Sequence, residues 1–170
     1  TCIAMGASVG LGSGMGKAQE ERVISTIGDS TFFHTGLPAL VNAVYNKSKL
    51  TLIVLDNRIT AMTGHQPNPS TGITATGQVG AHLDIEQVAR GLGADYVKSV
   101  DPYDLQALEE AIKEANEATV AVIVAKQPCA LLRQRQLQRR GERAPLYAVD
   151  GEKCTGCRIC VNVLGCPALV

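Results

Sequence analysis

The chain has 170 residues, 45% of them hydrophobic, and its 16 Lys and Arg balance 16 Asp and Glu to a formal net charge of zero. That length suits one ordinary domain, and the apolar fraction is enough for a packed core, which excludes a wholly disordered chain. The balanced charge argues against a protein that wraps nucleic acid, and no apolar run reaches the roughly 18 residues a membrane helix needs.

Residues 3–19 are small and carry Gly6, Gly10, Gly12, Gly14 and Gly16. A dinucleotide fingerprint would need a third glycine where Met15 stands and a strand before it. The spacing instead predicts a helix whose small face packs closely on a neighbour. The β-branched run 22–27 predicts a buried strand ending in a turn at Gly28-Asp29-Ser30. A helix comes next, over 32–46. Residues 50–55 form a second buried strand, and 57–80 a long loop rich in Thr, Gly and Pro, of the kind that often carries function. Asp84 caps a helix through Gly91. Residues 96–100 form a strand, Asp101-Pro102 opens a helix over 103–117, and 120–125 form a fourth strand. Strand and helix alternating at this spacing predict an α/β fold, a mostly parallel sheet with helices on both faces. Residues 133–143 hold five Arg and one Glu. They read as a solvated helix or linker, or as a docking surface for an acidic partner.

In open parallel sheets ligands bind beyond the carboxyl ends of the strands. Asp29 comes just after one strand and Asn57 just after the next, and an acid with an amide oxygen suits Mg²⁺ completed by phosphate oxygens. The N–H groups of 28–31 at a helix start favour phosphate. Pattern alone favours Asp29 as a helix cap and Asn57 as a turn residue over that site.

Four of the six cysteines, Cys154, Cys157, Cys160 and Cys166, fall in the last 17 residues. Their C-x₂-C-x₂-C-x₅-C-P spacing resembles the bacterial ferredoxin signature, whose last gap is three. Zinc would prefer a second Cys or His pair, and none lies nearby. Cys166 either closes the first cluster or serves a second. Cys129 reads as a small buried hydrophobe, and Cys2 precedes the first glycine segment.

Gly28-Asp29-Ser30, a 26-residue gap and Asn57 resemble the thiamine diphosphate (TPP) motif, with Ser30 where its second glycine usually stands. GDSTFFHTGLPALVNAVYN and VLDNRITAMTGHQPNP resemble the α subunits of indolepyruvate:ferredoxin oxidoreductases, in the 2-oxoacid:ferredoxin oxidoreductase family, and the resemblance runs from residue 1 to 170. It implies a TPP-binding domain over 1–130, an Arg-rich linker over 131–149 and part of a ferredoxin-like module over 150–170, both ends being cut from a longer polypeptide. It implies that Asp29, Asn57 and the carbonyl of Ile59 hold Mg²⁺, with Asp56 the ligand should the register slip by one. Met5, Gly6, Gly28, Ser30 and Met62 would contact TPP, and His34, Thr63, Gly64 and His65 would border cofactor or substrate. Cys154, Cys157, Cys160 and Cys166 would bind [4Fe–4S], with two clusters in the whole protein. The implied reaction is oxidative decarboxylation of an aryl pyruvate such as indolepyruvate. Coenzyme A captures the acyl group, ferredoxin accepts electrons, and a β subunit is the cytoplasmic partner; neither nucleic acid nor membrane is implied. A non-oxidative TPP decarboxylase or synthase has no use for the cysteines, and a pure electron-transfer module none for Asp29 and Asn57.

Overall fold

The computed structural model describes residues 4–19, 21–142 and 148–165. Contacts divide the chain into two units, Thr1–Arg133 and Gln134–Val170.

In the first unit four strands, β1 (Val23–Gly28), β2 (Leu50–Asp56), β3 (Tyr96–Val100) and β4 (Val120–Lys126), form one parallel sheet in the order β1-β2-β4-β3. The helices are α1 (Ala7–Ala18), α2 (Asp29–Thr31), α3 (Leu37–Tyr45), α4 (Ile85–Gly91) and α5 (Leu105–Ala115). Val, Ile and Leu dominate the strands because a parallel sheet is covered on both faces and pleated backbone packs β-branched side chains well. On one face Ile27, Leu52, Val54, Val122 and Val97 join Val9 of α1, Leu40 of α3 and Ile85 of α4 in the main core. On the other, Ala121, Ile123 and Val100 pack on Ala111 and Ala115 of α5.

The open end of that second face corrects the reading of β1 as a fully buried strand. It is an edge strand, and Ile24 is 54% exposed because α5 covers only the β3–β4 half; Leu55 on β2 is 50% exposed for the same reason. Two helix starts also differ. No turn separates β1 from the next helix: Gly28 is extended, and helical backbone runs from Asp29 through a π-helical segment, Phe32–Gly36, into α3. The first helical amides therefore sit at the rim of the sheet. Asp104, not Asp101-Pro102, caps α5 by accepting the Ala107 N–H at 3.0 Å. Asp101 instead accepts the Tyr103 N–H and the Gln127 side-chain amide. The loop 57–80 contains a 3₁₀ turn at Pro69–Thr71 and two isolated bridges, Thr60 with Gln66 and Ile73 with Val79.

The expected small face of α1 is present. A Cβ on Gly12 would lie 2.1 Å from Ser25 Oγ, and one on Gly16 would lie 2.7 Å from the Lys49 carbonyl oxygen. A buried Ser13–Ser48 hydrogen bond of 2.8 Å crosses the same seam. At Gly10 and Gly14 an added Cβ would meet nothing within 4 Å.

The second unit contains most of α6 (Ala130–Arg139), which buries no residue, and α7 (Ile159–Asn162). No strand forms among the described residues 148–165. No helix is long and apolar enough to cross a membrane among the described residues.

The two glycine rows of α1 have opposite expected responses. Gly16→Ala should lower unfolding free energy by about 1–3 kcal/mol, because rigid backbone occupies the space. Gly14→Ala should raise it by about 0.5–1 kcal/mol through helix propensity alone. Urea denaturation of the two variants separates them.

Candidate functional site at the carboxyl ends of β1 and β2

The β1–β2 register pairs Val23 with Leu50 and Gly28 with Leu55. Carried one residue on, it sets Asp29 level with Asp56, and Asn57 one step further out. Both aspartates are 3% exposed. Burial, first and most, pushes the Asp29 carboxyl above the ordinary range; the Asn68 amide and Ser30 N–H pull it back, and the charge of Asp56 and a hydrogen bond to it push it up again. Two buried carboxyls this close repel when both are ionised.

Each carboxyl has its own holder. Asn68 Nδ2 donates to Asp29 Oδ2 at 3.0 Å, and the Ser30 N–H donates to Asp29 Oδ1 at 2.7 Å. Asp56 Oδ1 accepts the Arg58 N–H at 3.1 Å, and its Oδ2 pairs with Arg58 Nε at 3.3 Å. Arg58 Nη1 also donates to the Ser70 carbonyl at 3.3 Å and lies 3.4 Å from His82 Nε2. Asn68 itself is buried, and its Oδ1 accepts both the Ser70 N–H and the Ser70 hydroxyl. Asp29, Asn68, Ser70, Arg58 and Asp56 thus make one network that folds the loop back over the strand ends.

Sequence reasoning alone misses Asn68 and Arg58. Asn68-Pro69-Ser70 does carry a readable signal, since Asn before Pro favours a side-chain-capped turn. Arg58 has none: it adopts φ 61°, an uncommon left-handed conformation for a non-glycine residue.

The remaining expected residues are spread over three places. At the strand ends, Asn57 is half-buried, and its Oδ1 accepts the Ile59 N–H at 3.1 Å. Beside α1, Met5, Gly6 and Gly28 line one open cavity of about 280 Å³ with Leu11, Thr26 and Thr31. Gly6 has φ 84°, and a Cβ there would lie 1.9 Å from Thr35 Oγ1 on the π-helical segment, so only glycine fits. π-helical turns recur at functional sites, and this one seats the Met5-Gly6 corner beside β1. His34 is exposed on it. In the loop, Met62 is 90% exposed, in the turn that includes Gly64. Thr63 Oγ1 lies 2.8 Å from Gln66 Oε1. His65 has φ 61°, and its Nε2 is buried without a hydrogen-bond partner.

Cys129 is half-exposed, not the buried hydrophobe expected, because it lies past the end of β4 at the rim; its N–H donates to the Asn57 carbonyl at 2.9 Å. Cys154 and Cys157 are free and exposed, and Cys160 is free and half-buried. A hydrogen bond from the Ile159 backbone, then one from the Thr155 side chain, holds the Cys157 thiol below its ordinary range, which favours the thiolate a metal needs. Cys2 and Cys166 lie outside the described residues. Among the described residues no three His, Cys, Asp or Glu side chains converge as a metal-ligand group.

The carboxyl oxygens and backbone N–H groups at this rim are of the kinds that would suit a divalent cation and a phosphate group. Two buried carboxyls that repel one another gain from such an ion, and first-turn helical amides face the same rim. Residues 1–125 match the thiamine pyrophosphate enzyme, C-terminal TPP binding domain family, and the chain belongs to it. It is 51% identical to indolepyruvate oxidoreductase subunit IorA of Thermococcus kodakarensis, and 46% identical to the same subunit of Archaeoglobus fulgidus, over 99% of its own length. It spans 28% and 27% of the length of those relatives. Among solved structures it is similar to a Mycobacterium smegmatis protein described as a "putative thiamin diphosphate-dependent enzyme", with a TM-score of 0.55 and 25% identity over 74% of this chain and 23% of that one. The parallel α/β unit is therefore the TPP-binding fold.

Asn68→Ala should cost about 1–3 kcal/mol of stability, because Asp29 and Ser70 each lose a buried partner. Asn68→Asp adds a third carboxyl. In EDTA it should be less stable than Asn68→Ala, and millimolar Mg²⁺ should recover part of the loss. Thermal melts with and without the cation check both.

Proposed function

We propose that this chain binds TPP with Mg²⁺ at the carboxyl ends of β1 and β2. Within its longer polypeptide it would serve the oxidative decarboxylation of an aryl 2-oxo acid, with indolepyruvate the leading substrate. The overall reaction converts the 2-oxo acid, coenzyme A and two oxidised ferredoxins to acyl-coenzyme A, CO₂, two reduced ferredoxins and one proton. The observation that carries this reading is the buried Asp29, set against Asp56 by the strand register in a chain of the TPP-binding family. The relatives named as indolepyruvate oxidoreductase subunits support the substrate.

In this reading Asp29, Asn57 and the Ile59 carbonyl hold the metal. Asp56, whose charge is balanced by Arg58, is the backup oxygen ligand beside it. Asn68 fixes the rotamer of Asp29, so the ligand oxygen is pre-positioned. Backbone amides among residues 28–31 take the diphosphate, while Ser30, which stands where the general motif has glycine, keeps its own N–H on Asp29 Oδ1. The Met5-Gly6 cavity takes the organic part of the cofactor, and the lack of a side chain at Gly6 leaves Thr35 in place beneath it. Met62, exposed on its turn, is the loop residue that the family resemblance offers to TPP. When bound, TPP supplies an electron sink for the loss of CO₂ from a 2-oxo acid.

The cysteine run supports the oxidative branch over a non-oxidative TPP enzyme. Cys154, Cys157 and Cys160 offer three unpaired thiols at cluster spacing, and the sequence continues to Cys166 as a further candidate ligand. Metal binding and local folding are commonly coupled, so such ligands need not be pre-assembled. A ferredoxin-like module that begins here, and is completed by residues of the longer polypeptide, would carry [4Fe–4S] and pass single electrons to ferredoxin. A β subunit would complete the enzyme.

Asp29→Ala should weaken Mg²⁺-dependent TPP binding by at least about 100-fold, measured by calorimetry on the folded variant. Unchanged affinity would overturn the cofactor assignment. Cys157→Ser in the full-length protein, reconstituted anaerobically, should lose broad visible absorbance relative to wild type while keeping TPP affinity.

A further inference from the structure

The zero net charge hides a division. Residues 134–170 contain six Lys and Arg against three Asp and Glu, which leaves ten against thirteen in residues 1–133. The second unit is therefore basic and the first acidic. The positive charge is concentrated on α6 and the turn after it. Arg135 and Arg139 stand four apart, on one face, with Arg140 beside them, and all three are exposed. Like charges at that spacing destabilise a helix. No ion pair compensates them among the described residues; the acid nearest in the second unit beyond Glu142, Asp150, is engaged by Lys153 at 3.5 Å. α6 buries no side chain, so packing does not account for the row either.

We propose that the Arg135–Arg139–Arg140 row is the docking surface for an acidic electron-carrier protein. This deepens the reading above and rests on it for the identity of the cargo. The row and Cys154, Cys157 and Cys160 belong to one compact unit, so a carrier held by the arginines sits on the unit that bears the cysteine run. Guanidinium groups on a helix match surface carboxylates, two hydrogen bonds at a time. Charge complementarity of this kind raises association rates without tight binding. That suits a carrier which takes one electron per encounter and must leave, two encounters serving each 2-oxo acid oxidised. Single-stranded nucleic acid fits less well. Such binders interleave aromatic side chains for base stacking, and Tyr147 is the one aromatic residue among positions 134–170.

The test uses the full-length protein with its partner subunit, prepared anaerobically, and a small acidic two-cluster ferredoxin as probe. R135Q/R139Q/R140Q should raise the Kd for oxidised ferredoxin about tenfold or more at low salt and flatten its dependence on ionic strength. R135K/R139K/R140K should stay within about threefold of wild type, and TPP affinity should not change in either. Unaltered ferredoxin affinity in the glutamine variant would overturn the proposal. So would wild-type protein that binds a DNA or RNA 20-mer more tightly than ferredoxin through the same arginines. Failure of the wild type to reduce a small uncharged acceptor, with arginine-dependent ferredoxin binding intact, would count against the oxidoreductase reading and leave the docking surface standing.

Discussion

The parallel pairing of β1 with β2 is the constraint on which the rest depends. Side chains in adjacent parallel strands are locked in register by the backbone ladder, so the pairing of Gly28 with Leu55 decides which residues meet beyond the strand ends. An acid stands next on each strand, Asp29 on one and Asp56 on the other, and both are almost fully buried. A protein gains no stability by burying two carboxyls together. The fold holds them with an amide on one side and a guanidinium on the other, both drawn from the loop that covers the strand ends. The core beneath is rigid enough to impose that arrangement because every strand in it contributes Val, Ile or Leu to the main cluster.

The glycines of α1 serve the same end from the other side. Their helix lies so close to β1 and to the chain entering β2 that a methyl group at Gly12 or Gly16 has no room. That approach brings Gly6, at the helix start, down onto the π-helical segment beside β1. The two halves of the site, the metal end at Asp29 and the cavity at Met5-Gly6, are set by two different packings that share β1.

Much of this is legible in the residues. The alternation of β-branched runs with helical segments places all four strands within a residue or two, and the strand-end rule picks out Asp29. Which half of a sheet face goes uncovered is not legible: Ile24 and Leu55 look like core residues, yet both are about half exposed because α5 packs on β3 and β4. Helix starts shift where two acids compete for one cap, as Asp101 and Asp104 do. The partnership of Asp29 with Asp56 and Asn68 needs the register and a loop that closes 39 residues later in the chain, which no local pattern encodes. Arg58 gives no sign of its role because its left-handed backbone is a product of the closed loop rather than a preference of arginine.

The outgoing chain adds a consequence of its own. Past the last rung of β4, the Gln127 N–H donates to the Asp56 carbonyl at 3.0 Å and the Cys129 N–H to that of Asn57 at 2.9 Å, immediately before α6 begins. The peptides that carry the site's side chains are the same ones that tether the exit of the domain. Any tilt of the Asp56–Asn57 backbone must therefore either stretch those two bonds or carry residues 127–129 with it. Residues 127–129 are in effect a lever resting on the floor of the site, and the amides of Gln127 and Cys129 are where hydrogen exchange would sense that floor move.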